Sequence, residues 1–417
     1  MKPLLPALAA ALLLAGAVRA QSYLPPEAVV REAVAQSPAV QAADAARRGA
    51  QARAQALRAG PHETVVRASG QRRWVHDGSG QRFSEGQVAI ERPLRLGGKS
   101  ESDAQLAEAT QALGRVAAQD ARHEAARQLL ALWFAAQRAG QGLRAAQDNA
   151  EAAVELARVT QRRVRAGDAA RLDSELASAE QARMQAALEA ARGRHEAARG
   201  ELQARFPGLG EPPPEPALPP EDGSPLPELP PQPRASLRLR YIEQSHEYLL
   251  AQAEETLALR QARRADLERR PDPTMGVFAT SERGGTERIA GVSLSLPLGS
   301  VHRQALADQA LADAEAALSR RLAAERRLGA EFDVLWSQLA GKHAAAQAQA
   351  RAAALQQAAS DRALRAYRAG ETGLTELLAV RRALADAILA GHQARSEALE
   401  GDSRLRLDLH ELWDFDD

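Results

Sequence analysis

The sequence predicts a mainly α-helical chain with a transmembrane β-barrel part: long helical hairpins plus four strands, with the barrel closed only by several copies. Three observations predict it. Two Ala-rich, charged stretches of nearly 70 residues keep a helical spacing without interruption. Each is preceded by a pair of short extended runs, and the whole pattern occurs twice. Pro93 and Pro297 are 204 residues apart, while Trp133 and Trp336, and Gly167 and Gly370, are each 203 apart. Three unrelated features at one offset predict a tandem duplication.

The division expected from this is 1–20 signal peptide, 21–206 first repeat, 207–234 Pro-rich linker and 235–417 second repeat. Lys2, the apolar run Leu4 to Val18 and the small-residue site Val18-Arg19-Ala20 before Gln21 read as a secretory signal. That run is shorter than the roughly 20 residues of a membrane-spanning helix, so cleavage is expected and no transmembrane helix. The sequence has no cysteine, which excludes disulfides, thiolate metal sites, cysteine nucleophiles and an acylated N-terminal cysteine. With 54 basic and 54 acidic residues, nothing points to nucleic acid. Aromatics make up 3 %. Alanine buries little area but allows close helix approach, so long packed helices fit this composition better than a thick globular core.

In chain order, a helical pattern runs from Leu24 to Gly60, with a kink expected at Ser37-Pro38. Strands are expected over Glu63–Val75 and Arg82–Pro93, joined by the turn Asp77-Gly78-Ser79-Gly80. The first long arm spans Gly97 to Arg165, with a seam at Leu143, Ala146, Ala150, Ala153, Ala157, Thr160 and Val164. At about 1.5 Å per residue such an arm is about 100 Å long, more than any compact domain needs. Arg165-Ala166-Gly167-Asp168 breaks it, and Asp168 is expected to cap the returning helix. That helix, Ala169 to Phe206, carries a seam of smaller residues: Leu176, Ala179, Ala186, Ala190, Gly193, Ala197, Gly200 and Ala204. Arg183 has no account in this pattern.

The segment Pro207 to Arg234 holds twelve of the 22 prolines and reads as an extended linker. The plan then restarts: a helix over Ala235–Arg269, strands over Thr274–Ser281 and Glu287–Leu296, and a second arm over Val301–Arg368. The seam of this arm reads Leu311, Ala314, Leu318, Leu328, Phe332, Leu335 and Leu339. Arg368-Ala369-Gly370-Glu371 breaks it, with Glu371 as the expected cap, and a last helix continues to Trp413. Each returning helix is about half as long as its arm. The expectation is that 169–206 stacks end to end with the helix before the second strand pair, and the last helix with the first.

The junction Arg92-Pro93-Leu94-Arg95-Leu96-Gly97-Gly98-Lys99-Ser100 ends like a phosphate-binding loop. That motif requires glycine where Pro93 stands, so the stretch reads instead as a strand-to-helix junction, echoed by Pro297-Leu298-Gly299-Ser300. Four strands cannot close a barrel, and open sheet edges do not survive in lipid. Three copies would supply twelve strands, above the minimum of about eight.

No enzyme constellation is present: His195-Glu196 lacks the second histidine of a zinc protease, and the nine histidines are scattered along the sequence. No metal, catalytic or cofactor site is therefore expected. Trp133 and Trp336 read as packing within the arms.

Together these features resemble the TolC-like outer-membrane efflux proteins: the signal, the doubled helix, strand-pair and hairpin plan, the Arg-Pro-Leu-Arg-Leu-Gly-Gly-Lys junction, the paired Arg-Ala-Gly-Asp/Glu turns and the opening Leu24-Pro25-Pro26-Glu27-Ala28-Val29 with Ser37-Pro38. The resemblance covers the mature chain, and its length is most similar to the CzcC-like heavy-metal branch. It implies a homotrimeric, non-enzymatic conduit of a Gram-negative outer membrane, seated in lipid and reaching into the periplasm. Its implied partners are a periplasmic adaptor and an inner-membrane transporter. It further implies adaptor docking at the hairpin tips (Arg165, Gly167, Asp168, Arg368, Gly370 and Glu371) and a periplasmic gate at Asp173 and Glu376. The family's second acidic gate position is Ala379 here. Pro93, Gly97, Gly98, Pro297 and Gly299 would mark the barrel-to-tunnel junction. The alternative is a periplasmic coiled-coil adaptor or a structural scaffold of an export system.

Overall fold

The structure is a computed structural model that describes residues 23–76, 78, 80–213, 226, 229–299, 301–413 and 415. The expected signal peptide, parts of the Pro-rich linker, Asp77, Ser79 and Ser300 lie outside the described residues. Two helices, α1 (Glu27–Gln36) and α2 (Pro38–Ala59), lead to strands β1 (Val65–Trp74) and β2 (Arg82–Pro93). The long helix α3 (Lys99–Ala166) and the shorter α4 (Arg171–Arg205) follow. The same order then recurs as α5 (Arg234–Gln244), α6 (His246–Glu268), β3 (Thr274–Glu282), β4 (Glu287–Ser295), α7 (Val301–Ala369) and α8 (Leu374–Asp408).

The break at Ser37-Pro38 is present: Ser37 is extended and Pro38 opens α2, a position where its missing N–H costs nothing. The continuous helix expected over Ala235–Arg269 is also broken. Ser245 takes nearly the same backbone angles as Ser37 (φ −61°, ψ 126° against φ −60°, ψ 131°), with histidine rather than proline after it. The last helix stops at Asp408, short of Trp413. His410 takes the left-handed conformation (φ 58°), and the Glu411 N–H donates to Arg406 O, which closes the helix end.

The arms are as long as the periodicity predicts, 68 and 69 residues, but the stacking differs. The sheet-side half of α3 lies against α2, where Arg122 pairs with Asp44 at 2.7 Å. Its other half lies against α4, where Leu156 and Ala157 pack with Ala177. Between α3 and α7 sit α6, held by Arg321–Glu255, and α8, held by Arg138–Glu400. The end-to-end pairs are therefore α2 with α4 and α6 with α8, not the crossed pairs expected.

The burial of the seams is mixed. Ala150, Ala153, Ala157 and Thr160 of α3 are buried as predicted, as are Leu328, Phe332 and Leu339 of α7. On α4 the prediction is wrong by one face. Ala177, Leu188, Ala191 and Leu202 are buried, whereas the stripe Ala179, Ala186, Ala190, Gly193, Ala197, Gly200 and Ala204 is exposed. Leu311 and Leu318 of α7 are exposed as well. Two larger apolar clusters lie at mid-height. One joins Val30, Val34, Leu129, Leu130, Trp133 and Phe134 to Leu202 and Leu399, and the other joins Leu237, Tyr241, Leu328 and Phe332 to Leu405. Trp133 is a packing residue: it is buried and its Nε1–H donates to Tyr23 O at 2.8 Å. Trp336 packs at the edge of the second cluster.

Candidate functional site

Three regions carry the candidate residues: the sheet, the junction beneath it and the hairpin tips. The four strands form one antiparallel sheet in the order β1-β2-β3-β4, so β2 pairs with β3 and the two halves are zipped together at this end. Strands of nine to twelve residues match the roughly 9–11 needed to cross a bilayer obliquely.

Register assigns each residue to a face. Paired residues point the same way, and successive residues alternate. One face carries the row Val66, Ile90, Val277 and Val292, flanked by the rows Ala68, Val88, Ala279, Ala290 and Arg92, Met275, Leu294. Val66, Val88, Ile90, Met275, Val277, Val292 and Leu294 are exposed, so nothing within the chain covers this band. The opposite face is polar. Arg67 pairs with Glu91 at 3.4 Å, Gln71 donates to Glu85 at 2.8 Å, and Arg73 pairs with Glu85 at 3.1 Å. The result is an amphipathic wall. Its first and last strands, β1 and β4, have no neighbour on their outer edges within the described residues. Among those residues, no helix is long and apolar enough to cross a membrane.

At the first junction Pro93 closes β2 opposite Thr274, and Gly97 and Gly98 both take positive φ (67° and 80°) to turn the chain into α3. Lys99 reaches no open loop of the phosphate-binding kind. It is 2 % exposed; its ammonium donates to Arg270 O at 2.7 Å and pairs with Asp272 at 3.0 Å and Glu268 at 3.5 Å. Asp272 also accepts from the Leu96 N–H and contacts His62 at 3.3 Å. Burial pushes the Asp272 carboxyl up, but these hydrogen bonds outweigh it and hold it below the usual carboxylate range. Beside it Arg95 donates to Leu57 O and Arg58 O and pairs with Asp103 at 3.1 Å, while Arg264 bridges Asp103 and Glu268. This clamp ties α2, α3, α6 and the start of β3 into one collar. Sequence reasoning missed it because its members are scattered; the one available signal was a lysine directly after two turn glycines. Pro297 follows β4, but Gly299 does not take positive φ, and Leu298 and Val301 are almost fully exposed.

The two tips are alike. Gly167 has φ 84° and Gly370 φ 79°. In each case the N–H of the following residue returns to the helix: Asp168 N to Arg163 O and Glu371 N to Ala366 O, both at 2.9 Å. Gly is favoured here because a Cβ clashes in the left-handed region. Asp168 and Glu371 are not caps of the next helices, a correction to the sequence reading. Those caps are Ala170 and Gly373, without side-chain hydrogen bonds, because the left-handed turn spends Asp168 and Glu371 on closing the preceding helix. Arg163 lies over the Tyr367 ring at 5.1 Å, which holds the two tips side by side above a core of Leu156, Ala177, Leu374 and Leu377. Arg165 and Arg368 are exposed.

Asp173 and Glu376 occupy equivalent places in the first turns of α4 and α8, Asp173 half-buried and Glu376 exposed. Two turns further along α4, Glu180 is buried and takes Arg183 at 2.7 Å and Arg382 of α8 at 2.6 Å. Burial raises the Glu180 carboxyl, and the two guanidiniums more than offset it. Arg183, unexplained by the seam, is thus half of a bracket around Glu180. Nearby, a cavity of about 170 Å³ is lined by Leu156, Val159, Leu364, Tyr367 and Arg381. Burial, with Arg368 adding to it, lowers the Arg381 pKa.

The histidines are not all scattered in space. His123, His246 and His410 meet at mid-height, with one ring nitrogen of each within 4.8 Å of the others. His123 rests on Asp408, which is buried and also receives Arg127, Arg404 and the Tyr241 hydroxyl. Burial pushes the Asp408 carboxyl up, but these donors hold it well below the usual range; burial likewise lowers His123.

No protein-family model and no curated protein sequence matches the chain. Solved structures do. The outer membrane protein VceC of Vibrio cholerae superposes with a TM-score of 0.74 at 16 % identity, over 93 % of this chain and 96 % of that one. The outer-membrane channel OprN gives 0.74 at 19 % identity, over 93 % and 90 %. CusC, described as forming a transmembrane channel, gives 0.74 at 16 % identity, over 92 % and 91 %. The chain has the fold of these outer-membrane channels. Because the match spans both chains almost end to end, the channel fold takes in the sheet, the junction and the tips alike.

Proposed function

We propose that the chain is the outer-membrane channel subunit of a tripartite efflux system: a passive trimeric conduit, without catalytic activity, that crosses the outer membrane and extends through the periplasm. The observation that carries this reading is the amphipathic four-stranded wall, apolar outside and polar inside, with both edges open and two arms of about 100 Å beneath it. Open edges in lipid require neighbours, and three copies give twelve strands. The exposed small-residue stripe of α4 and the exposed Leu311 and Leu318 of α7 lie where a neighbouring copy would pack. The likeness in fold to outer-membrane channels supports the same reading.

In this reading residues 1–20 are an export signal and the two halves are a tandem duplication joined by the Pro-rich segment. The exposed tips around Gly167 and Gly370 meet a periplasmic adaptor, which links the conduit to an inner-membrane transporter of heavy metals or drugs. Asp173 and Glu376 narrow the tunnel mouth, with one carboxylate of each kind per copy. Membrane fractionation and chemical cross-linking test the assembly: an outer-membrane trimer is expected, and a soluble monomer overturns the proposal. For the gate, Glu376→Ala and Asp173→Ala are expected to raise single-channel conductance in planar bilayers. Unchanged conductance in both removes these residues from the role while leaving the conduit intact.

A further inference from the structure

We infer that His123, His246 and His410 form a binding site for one divalent transition-metal ion of the zinc class, which pins the two halves of the chain together at mid-height. The three residues come from the middle of α3, the first position of α6 and the turn that ends α8. Their ring centroids form a nearly equilateral triangle of 5.1, 5.5 and 4.9 Å. His123 and His246 are buried and His410 is half-buried.

Hydrogen bonding prepares two of the rings as ligands. His123 Nε2 lies 3.2 Å from Asp408 Oδ1, a buried carboxyl group that also accepts from Arg127, Arg404 and the Tyr241 hydroxyl. His410 Nε2 lies 3.1 Å from Gln244 O, a carbonyl that can only accept. Nε2–H therefore donates in both, which makes Nδ1 the atom each ring would offer a metal. An imidazole held from behind by a carboxylate or carbonyl is the usual support of a metal-ligating histidine. In addition, His410 occupies the left-handed cap position, where glycine or asparagine is favoured. A strained non-glycine residue that carries a ligating group calls for a functional reason.

Chemistry narrows the ion. Three imidazoles with no thiolate and no direct carboxylate suit Zn²⁺, Co²⁺, Ni²⁺ or Cu²⁺, whereas Mg²⁺ and Ca²⁺ require oxygen ligands. In a tetrahedral site the nitrogens stand about 3.3 Å apart, as follows from Zn–N bonds of about 2.0–2.1 Å. The ligating nitrogens, which lie within 4.8 Å of one another, must therefore draw closer on binding. Arg127, the cation nearest the cluster on α3, is already engaged by Asp408 at 2.8 Å and Glu247 at 3.1 Å, and Arg404 by Asp408 at 2.8 Å. The fourth position is left for water. Such a site acts as a staple and needs no part in transport, so it stands whether or not the conduit reading holds.

The test uses full-length protein without a polyhistidine tag, purified in detergent and stripped with chelator. Titration with Co²⁺ is expected to give visible d–d bands of a nitrogen-ligated site saturating at one ion per chain, and Zn²⁺ is expected to displace them and raise the unfolding midpoint. His410→Asn keeps a residue tolerated in the left-handed turn while deleting the imidazole. It is expected to weaken Co²⁺ binding at least about tenfold and abolish the Zn²⁺-dependent rise. His343→Gln, on the distant half of α7, is expected to change neither. Absence of Co²⁺ bands from the wild-type protein overturns the proposal, as does binding that survives His410→Asn undiminished.

Discussion

At the tips, Gly167 and Gly370 end the two long helices with matching left-handed turns and matching returning hydrogen bonds. At the other end of the same helices, α3 starts from the buried Lys99 within a clamp of carboxylates and carbonyls, while α7 starts from Val301, almost fully exposed. The tips repeat because their shape is a backbone requirement, met by one residue type at one place. The junctions diverge because theirs is a side-chain requirement, spread over several segments. The first is satisfied within the chain; the second leaves Leu298 and Val301 uncovered by any described residue. A two-fold pattern in the chain can thus be strict at one end and broken at the other.

The sharpest way to break this contrast is Lys99→Met. It leaves the half-buried Asp272 without its cation and is expected to cost about 3 kcal/mol. The loss should appear as a lowered unfolding midpoint, with faster hydrogen exchange confined to the collar. At the second junction Val301→Ala is expected to stay within about 0.5 kcal/mol, since Val301 is almost fully exposed among the described residues. Equal losses at both would refute the asymmetry.

Next in size are the tips. Gly167→Ala and Gly370→Ala should each cost about 1–2 kcal/mol, and nearly the same amount, because each forces a Cβ into the left-handed region. Gly299→Ala, where φ is not positive, should cost far less by the same unfolding assay. A large difference between the two tip variants would show that side chains, not the backbone, set their shape.

The smallest effect separates two aspartates. Asp402 is fully buried, and burial raises its carboxyl to about 6 against the pull of Arg406 at 2.9 Å. Its protonated form is therefore favoured in the folded state: the stabilisation is complete below the unfolded value and is lost as pH rises through about 6. Moving from about pH 7 to about pH 5 should stabilise the protein by about 1 kcal/mol through this group, and Asp402→Asn should remove the gain. Asp272 has the opposite sign. Its lowered pKa contributes stability above the ordinary carboxylate range, lost only as pH falls through its folded value. An Asp402→Asn protein whose midpoint still climbs between those pH values would assign the effect elsewhere.

The elements of this fold were largely legible. Uninterrupted Ala-rich periodicity gives the arms, Gly after Arg-Ala gives the tips, and alternation gives the strands to within two residues. Packing partners were less so. Small residues occur on both faces of α4, and spacing cannot say which face meets α3 and which is left open. The helix break at Ser245 was missed because His246 lacks the signal that Pro38 supplies. The collar and the histidine triangle were invisible for a further reason: His123, His246 and His410 lie over a hundred residues apart, and only the column pairing of α6 with α8 beside α3 brings them together.

That pairing has a further consequence. Because α2 stacks on α4 and α6 on α8, each half of the chain owns one full-length arm, one complete composite column and two strands. What the halves share across the middle is packing rather than elements: Lys99 reaches Asp272, and Leu129 and Leu130 pack with Leu399. In the proposed trimer, six copies of a chain of half this length, alternately positioned around a ring, could therefore tile the same cylinder. On this view, joining two such units in one chain would fix which neighbours alternate, and so free the two junctions to differ.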